Sequence, residues 1–326
     1  MGVQALVQTG DRASFLNLVA ELRPELHRYC ARMTGSVIDG EDVLQETLLK
    51  AMLALRQLPQ VANVRAWMFR LAHNQAVDRG RSYEQRTRTP LEASTELPDD
   101  SELGVPADER LAREQALSAA LSRFLELPPL QRSCLILKDV LDHSLDEIAA
   151  LLSTTVPAVQ AALHRARRRL AELQRVSPEP DGAGEISPLL FRYAALFNAR
   201  DWNALRALLA RDVRLEVIAR STKRGRAEVG SYFGNYARVS SYWVAPCWLE
   251  NRELLAVFGA GGARRVHFIE LGVKAGLVES IRDFYHVPYV ANEARFALAE
   301  PSAQARIASS CPPGPCPKSS TVVPVS

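Results

Sequence analysis

Hydrophobic residues recur with helical spacing between positions 144 and 170, and a short polar break at 153–155 divides them into two runs. In the first run, apolar residues fall at i, i+3, i+4 and i+7, which predicts a helix with one buried face. Ser144 and Glu147 stand at the spacing of a capping box and predict where this helix begins. Two short helices joined by a tight turn indicate a helix-turn-helix. The inward positions of the two runs are Leu145, Ile148, Ala149 and Leu152, then Val156, Val159, Leu163, Ala166 and Leu170.

The second predicted helix carries a polar and basic outward face, which suits the major groove of DNA. This face includes Gln160, His164 and Arg165, and the run ends in a cluster of arginines. An ordinary amphipathic helical hairpin with solvated arginines explains the same pattern, so the motif alone leaves both interpretations open.

Two further helical patterns lie upstream. Residues 39–58 predict a helix with leucines on its inward face and acidic residues on its outward face. Residues 64–88 predict a helix in which six arginines alternate with aromatic and amide side chains. Such a surface can bind phosphates and stack on bases. Trp67 has a second interpretation, because a tryptophan near Leu71 and Ala72 at helical spacing is more often part of a core.

Residues 91–114 contain eight carboxylates and two arginines, with prolines spaced along them, which predicts an extended acidic linker. A second linker is predicted within 176–185. After it, residues 186–210 predict helix, and strand-like segments follow between 213 and 287. Helices followed by several strands indicate an α+β domain with a curved antiparallel sheet. The tail, 297–326, is rich in proline and serine, and we expect it to be disordered.

Composition adds limits to this organisation. The chain has 326 residues, of which 47% are hydrophobic, enough for two or three cores. It shows no apolar run of 18 residues and no signal peptide, so we expect a soluble, cytoplasmic protein without membrane contact. The net charge is only +3, so the segregation of basic and acidic segments matters more than the total. Five cysteines fit a reducing compartment, and Cys311 and Cys316 alone cannot complete a zinc site.

The first half of the chain resembles the bacterial RNA polymerase sigma factors of the extracytoplasmic-function (ECF) type, within the sigma-70 family. DGEDVLQET and RAWMFRLAHNQAVDR are similar to their region 2, and LPPLQRSCLILKDVLDHSLDEIAALLSTTVPAVQAALHRARRRL is similar to their region 4. Two linked motifs in the expected order are more specific than a lone helix-turn-helix. The resemblance implies a multidomain chain with all-α region 2 at 12–88, a flexible linker at 89–112 and an all-α helix-turn-helix region 4 at 113–175.

The resemblance also implies three binding surfaces. The acidic helix would bind core RNA polymerase, and the arginine-rich helix would meet the −10 promoter element and capture a flipped base. The helix after the turn would read the −35 element, with the arginines at 167–169 near phosphates. The chain departs from the family at Ser153, where glycine is usual, and at Gln160, Ala161 and Ala162. The implied residues are Asp39, Glu41, Asp42, Gln45 and Glu46 for polymerase; Arg65, Trp67, Arg70, Asn74, Asp78, Arg79 and Arg81 for the −10 element; and Thr155, Pro157, Ala158, Gln160, Ala161, His164, Arg165 and Arg168 for the −35 element.

Residues 186–296 resemble the SnoaL-like branch of the NTF2-like superfold, which is found appended to a subset of these sigma factors. FNARDWNALRALLARDVRLEV, RGRAEVGSYFGNY and LVESIRDFYHVPYV carry this resemblance. It implies a cone-shaped α+β regulatory domain with an interior pocket, and GAGGAR at 259–264 is loosely similar to a contact loop of some relatives. The candidate ligand-pocket residues are Tyr232, Trp243, Trp248, Asp283 and Tyr285.

We therefore predict a sigma factor that is not itself an enzyme and needs no cofactor or metal. Its expected partners are core RNA polymerase, promoter DNA, and a small-molecule ligand or an anti-sigma factor. The first alternative is a stand-alone helix-turn-helix regulator with a ligand-sensing NTF2-like domain, which gives no purpose to the acidic helix. The second is an isomerase-like enzyme that depends on Asp283 or a nearby histidine, His267 or His286, and it leaves the first half unexplained.

Overall fold

The computed structural model describes residues 12–54, 63–87, 120–174, 186–239, 242–259 and 266–299. The chain divides into two compact units, Met1–Pro178 and Glu179–Ser326. The predicted linkers at 89–112 and 176–185, the loop residues 260–264, and Cys311 and Cys316 all lie outside the described residues.

The described part of the first unit is entirely helical. Ser36 caps the second helix by accepting a hydrogen bond from the backbone N–H of Asp39 at 3.1 Å. Gly40 allows this helix to lie close to the first one, since a β-carbon at position 40 would stand 2.5 Å from the backbone nitrogen of Ala31. The helices are α1 (Arg12–Thr34), α2 (Val37–Leu53), α3 (Val64–Thr87), α4 (Leu121–Phe124), α5 (Pro129–Leu135), α6 (Leu145–Leu152) and α7 (Val156–Gln174), with a π-helical turn at Ile136–Val140 after α5.

The predicted helix-turn-helix is present as α6 and α7. The capping box is confirmed, because the Ser144 hydroxyl accepts from the N–H of Glu147 and the Glu147 carboxylate accepts from the N–H of Ser144. The turn is made by Ser153, which ends α6 in the left-handed conformation with φ 54° and ψ 47°. This conformation costs an L-residue about 1–2 kcal/mol, while glycine adopts it freely.

We expect Ser153→Gly to stabilise the first unit by about 1 kcal/mol, because glycine removes the β-carbon penalty at this φ. Urea unfolding measured by hydrogen exchange of α6 and α7 amides would test this expectation. Ser122→Gly, within the helical α4, is the control and should destabilise by about 0.5–1 kcal/mol. A destabilised Ser153→Gly protein would show that the serine side chain makes a compensating interaction.

A single hydrophobic core runs through the first unit. It joins side chains from α1, α2 and α3 with side chains from α4 through α7. The described parts of predicted regions 2 and 4 therefore pack against each other and share one core. Its fully buried members include Phe15, Leu26, Tyr29, Leu44, Phe69, Phe124, Leu135, Ile148 and Val159.

The second unit is α+β, as expected. Arg200, at φ 61°, interrupts the predicted helix at 186–210, and Asp201 caps the next helix through the N–H of Ala204 at 2.9 Å. The helices are α8 (Pro188–Asn198), α9 (Trp202–Ala207), α10 (Arg226–Ala237) and α11 (Tyr289–Glu293). The strands are β1 (Leu209–Val217), β2 (Ser221–Arg224), β3 (Trp243–Leu249), β4 (Arg252–Phe258), β5 (Val266–Lys274), β6 (Leu277–Asp283) and β7 (Phe296–Leu298).

The seven strands form one sheet in the order β2-β1-β6-β5-β4-β3-β7. The expectation of an antiparallel sheet holds for five of its six strand pairs and is wrong for β1 and β6, which pair in parallel. The alternation of residues along a strand indicates which face of the strand is buried, but not the direction in which the neighbouring strand runs. The parallel pairing of β1 with β6 could therefore not be predicted from the sequence of either strand. The predicted tail also begins too early, since residues 297 and 298 lie in β7.

The described helices include none with the length and apolarity that crossing a bilayer requires.

Candidate nucleic-acid interface

The outward side of α2 carries an acidic cluster, Asp39, Asp42 and Glu46, with Arg79 of α3 among its members. Arg79 Nη2 lies 2.9 Å from Asp39 Oδ1 and 3.2 Å from Asp42 Oδ2. Its Nη1 lies 3.8 Å from Glu46 Oε1, and the Glu46 side chain is 52% exposed. Partly exposed pairs of this kind contribute at most about 1 kcal/mol each. Arg79 thus contacts all three carboxylates of the cluster.

The prediction that Glu41 lies on this outward side is wrong. Its side chain is fully buried, with Oε1 2.5 Å from Arg23 Nη2 and 3.4 Å from Gln45 Nε2. Position 41 comes four residues after Val37 and three before Leu44, so helical periodicity places it on the apolar stripe. A buried carboxylate needs a cation and hydrogen bonds, and Arg23 supplies both. Gln45 remains half-buried at the edge of the acidic cluster.

Helix α3 presents Arg70, Asn74, Asp78 and Arg81 along one exposed face, because steps of three and four residues return to the same side of a helix. We call these four residues the α3 face. Trp67 begins the same side but is half-buried and packs against the core, which agrees with its core interpretation.

Two of the predicted −10 residues point elsewhere. Arg65 Nη2 donates to both carboxylate oxygens of Glu25, at 2.5 and 2.6 Å. Arg79 binds the acidic cluster on α2. Both guanidinium groups are therefore occupied within the first unit, a tertiary pairing that the spacing of arginines in the sequence does not reveal.

Arg70 connects the α3 face to the helix-turn-helix. Its Nη2 donates to the carbonyl oxygen of Ala150 at 3.0 Å, and its Nε donates to the carbonyl oxygen of Leu151 at 3.3 Å. These carbonyls belong to the last turn of α6, where backbone acceptors lack helical partners and the helix dipole favours a cation.

A buried network lies beside this contact. Tyr29 Oη is 2.7 Å from Ser133 Oγ and 3.0 Å from His73 Nδ1, and His73 Nδ1 is 2.8 Å from Ser133 Oγ. Desolvation lowers the pKa of His73, so its imidazole is neutral at pH 7. Arg132 adds a link from α5, since its Nη1 donates to the carbonyl oxygen of Met33 at 2.6 Å. We call the hydrogen bonds of Arg70, Tyr29, His73, Ser133 and Arg132 the closed contact.

Thr155 precedes α7 and caps it: its side-chain hydroxyl accepts a hydrogen bond from the N–H of Ala158 at 3.4 Å. Gln160 and Arg168 are exposed, and His164 is half-buried. Arg165 is half-buried too, and its Nε has no hydrogen-bond partner within the described part of the chain. Thr155 and Pro157 are exposed, while Ala158 and Ala161 are partly exposed, so the predicted −35 residues share the accessible part of α7.

Arg167 does not face outward with its neighbours, contrary to the expectation that 167–169 all reach phosphates. Its Nη2 and Nε bind Asp139 Oδ1 and Oδ2 at 2.6 and 2.9 Å. Asp139 lies in the π-helical turn and is 3% exposed. This bidentate pair fixes α7 to the segment before the helix-turn-helix.

The second unit contains a buried polar cluster. Tyr232 Oη donates to Asp283 Oδ2 at 2.5 Å, and Tyr236 Oη donates to the same oxygen at 2.9 Å. Tyr236 Oη also lies 3.0 Å from His267 Nε2, and the N–H of Tyr285 donates to Asp283 Oδ1 at 2.9 Å. Asp283 therefore accepts three hydrogen bonds, two from tyrosine hydroxyls and one from the backbone.

The predicted ligand-pocket residues do not form one site. Tyr232 and Asp283 meet, and the half-exposed ring of Tyr285 packs against His267 at 5.2 Å between centroids. Trp248 lies against the core on the inner side of β3. Trp243 lies on the opposite face of β3, stacked on Phe258 at 4.2 Å. Sequence analysis missed Tyr236, although its position four residues after Tyr232 on a predicted helix was a usable signal.

Acidification is expected to destabilise the second unit. Burial lowers the pKa of His267, so the unfolded chain binds a proton more readily than the folded one as the pH falls below about 6.5. The contribution of this neutral histidine is present above that pH and is lost below it, at no more than about 1.4 kcal/mol per pH unit. The pKa of His286 is lowered in the same direction.

Thermal unfolding between pH 7.5 and 5.0 would measure this loss, and His267→Gln should flatten the dependence. His164→Gln, in the first unit, serves as the control and should leave the dependence of the second unit unchanged. An equally steep dependence in the His267→Gln protein would contradict the assignment.

Comparisons with known proteins match the two helical segments of the first unit to two families. Residues 18–87 match the family of sigma-70 region 2, and residues 117–170 match the family of sigma-70 region 4. The ECF RNA polymerase sigma factor SigG of Mycobacterium tuberculosis is 34% identical over 223 residues, which are 60% of this chain and 58% of SigG. The chain thus spans just over half the length of that relative.

A second relative is covered more completely. The ECF RNA polymerase sigma factor SigD of Mycobacterium bovis is 31% identical over 178 residues, which are 52% of this chain and 81% of SigD. The crystal structure of the ECF sigma factor SigJ of Mycobacterium tuberculosis covers 82% of this chain and 95% of SigJ at 22% identity, with a TM-score of 0.33. On the identity to SigD and the ordered matches to regions 2 and 4, this chain belongs to the family of ECF RNA polymerase sigma factors.

Proposed function

We propose that this protein directs transcription initiation by binding core RNA polymerase and recognising the −10 and −35 elements of promoters. One observation carries the proposal: the segments that match sigma-70 regions 2 and 4 are the segments that expose the acidic cluster, the α3 face and the outward side of α7. Polymerase performs the chemistry, and this protein contributes recognition and strand opening.

The acidic cluster of α2 supports docking on a basic surface of core polymerase. Asp39, Asp42 and Glu46 place three carboxylates on this side of α2, at 2.9 to 3.8 Å from Arg79. Complementary charge of this kind raises the rate of encounter and fixes the orientation of binding. Gln45 extends the cluster as a neutral hydrogen-bonding group, while Glu41 is excluded by its burial.

The α3 face supports recognition of the −10 element. Asn74 and Arg70 offer hydrogen-bond donors to base edges, and Arg81 offers charge to the phosphates. A base that leaves the duplex loses stacking worth a few kcal/mol, and contacts to its edge and plane offset that loss. On α7, Gln160 is suited to adenine and Arg165 and Arg168 are suited to guanine or phosphate.

The closed contact places a condition on this activity. The Nε–H and one Nη2–H of Arg70 donate to the carbonyl oxygens of α6, so this edge of the guanidinium cannot donate to a base at the same time. Contact between a base and the Nε and Nη2 edge of Arg70 therefore requires that Arg70 leave α6. We infer that binding to polymerase separates α3 from the helix-turn-helix and frees this side chain.

The second unit is proposed to be an NTF2-like regulatory module rather than an enzyme, with 186–296 as its approximate extent. The buried Asp283, Tyr232 and Tyr236 form a polar centre that is largely satisfied by its own hydrogen bonds. Such a centre suits a role in holding the fold or a small ligand. We also propose that a separate anti-sigma factor binds this protein.

Runoff transcription with purified core polymerase on a pool of genomic promoter fragments tests the proposed function. The full chain and a version ending near residue 175 are compared. Transcripts that need the added protein are the expected result, and the difference between the versions gives the sign of regulation by the second unit. Absence of transcripts together with tight polymerase-independent binding to duplex DNA would favour the stand-alone regulator instead.

A further inference from the structure

The β1–β2 hairpin of the second unit concentrates positive charge. Residues 209–226 contain six basic and two acidic side chains, although the whole chain carries a net charge of only +3. Arg211, Arg214, Arg220, Arg224 and Arg226 are all exposed. The hairpin lies at one edge of the sheet, because β2 has no strand on its other side within the described sheet.

Two of these arginines stand directly opposite each other. Arg214 of β1 and Arg224 of β2 are paired in the antiparallel register, so their side chains leave the same face of the sheet a short distance apart. Like charges in this position are destabilising. Folding stability alone therefore does not favour this pair, and an anion bound between them would relieve the repulsion.

The surrounding carboxylates do not neutralise the pair. Within the described part of the chain, neither Arg214 nor Arg224 forms an ion pair. Glu216, two residues along β1 on the same face, has Arg282 of β6 as its partner at 3.8 Å. Arg282 in turn binds Glu270 at 2.8 Å. Glu216 and Glu270 are thus engaged with Arg282 further into the sheet, and Asp212 is one carboxylate among the six basic side chains of 209–226.

We propose that the β1–β2 hairpin is a second DNA-binding surface, which contacts the phosphates of promoter duplex through Arg214 and Arg224. This proposal rests on the proposed function, since it places the protein on promoter DNA. Guanidinium groups bind phosphate oxygens in a bidentate manner, and the duplex supplies closely spaced negative charges. The contact is independent of base sequence because it uses the backbone alone.

The chemistry of the hairpin favours nucleic acid over a lipid surface. Peripheral membrane binding combines basic residues with inserted apolar side chains. The exposed large hydrophobic side chains of the described residues all lie outside 209–226. The hairpin thus offers charge without an apolar anchor.

Binding of holoenzyme, assembled from core polymerase and the full chain, to a fluorescent promoter duplex tests the proposal across a salt series. The test variant is Arg214→Glu/Arg224→Glu. The matched control is Arg192→Glu/Arg238→Glu, which reverses two exposed charges elsewhere in the same unit; Arg192 lies on α8, the helix that packs on β3 and β4. Each lost phosphate contact is expected to reduce the slope of log K against log salt by about 0.9.

The expected result is a slope reduced by about 2 for the test variant, an affinity at least about tenfold weaker at low salt, and hydroxyl-radical protection lost from a few phosphates. The control should match the unaltered protein. Equal slopes and equal footprints for test and control would overturn the proposal. Weaker binding of the test variant to core polymerase without DNA, or a loss of binding confined to anionic vesicles, would also overturn it. If the unaltered protein still gives runoff transcripts, the proposed function holds and only the proposal for the hairpin fails.

The single variant Arg224→Glu gives a check on folding. It creates an oppositely charged cross-strand pair with Arg214, so we expect the thermal midpoint of the protein to rise while the salt slope falls. A purely structural role for the arginines predicts the opposite, since their replacement would then lower the thermal midpoint.

Discussion

Replacing Asp139 with alanine is expected to destabilise the first unit by about 3 kcal/mol. Asp139 is 3% exposed and binds Arg167, which is 14% exposed, through two hydrogen bonds of 2.6 and 2.9 Å. Removing one partner of a buried ion pair leaves the other charge in a poorly solvated site, which costs more than the pair itself contributes. Hydrogen exchange of α7 amides along a urea series would measure the loss.

Glu172→Ala is the matched control for this substitution. Glu172 pairs with Arg168 at 3.4 Å and with Arg169 at 3.6 Å, but all three side chains are about half exposed. Surface pairs of this kind contribute little, so the control should change stability by less than about 0.5 kcal/mol. Similar losses of stability in both proteins would show that the buried Arg167–Asp139 pair contributes no more to stability than a surface pair.

Reversing charge at Asp42 and Glu46 with lysine is expected to weaken binding to core polymerase by about 100-fold. The acidic cluster would lose two negative charges and gain two positive ones, so electrostatic attraction to a basic surface would become repulsion. The effect should shrink as salt is added, because these side chains are partly exposed. Titration of labelled polymerase with the full chain at two salt concentrations measures the change.

Glu21→Lys controls for reversing a charge at an exposed helical position, since Glu21 is exposed on α1 and lies outside the acidic cluster. Helical circular dichroism should be the same for all variants. Unchanged affinity in a folded Asp42→Lys/Glu46→Lys protein would remove this surface from the proposed interface.

Local features of the fold were accessible from the sequence, because their causes are local. The start of α6 follows from Ser144 and Glu147, and its apolar face follows from spacing alone. Glu41 could also have been placed correctly, since it stands on the stripe of Val37 and Leu44. Its negative charge argued against burial only because Arg23, eighteen positions earlier, was not recognised as its partner.

Long-range features had no such signal. The hydrogen bonds of Arg70 join positions about 80 residues apart. The parallel pairing of β1 with β6 depends on the topology of the whole sheet, in which β6 lies between β1 and β5. Within the candidate pocket, strand alternation placed Asp283 on the inner face with Ile281. The same alternation puts Trp243 and Trp248 on opposite faces, because five residues is an odd step on a strand, so only one of them could line the pocket.

The closed contact makes DNA affinity a property of a conformational equilibrium. If the form with Arg70 on α6 is favoured over the open form by about 2.7 kcal/mol, about 1% of the free protein is competent, and its apparent affinity for promoter DNA is about 100-fold below the intrinsic value. A protein with intact recognition surfaces would then bind DNA only weakly until it binds a partner that prefers the open form. Selectivity for the polymerase-bound state would thus arise from the free energy of opening, without any change in the residues that read the promoter.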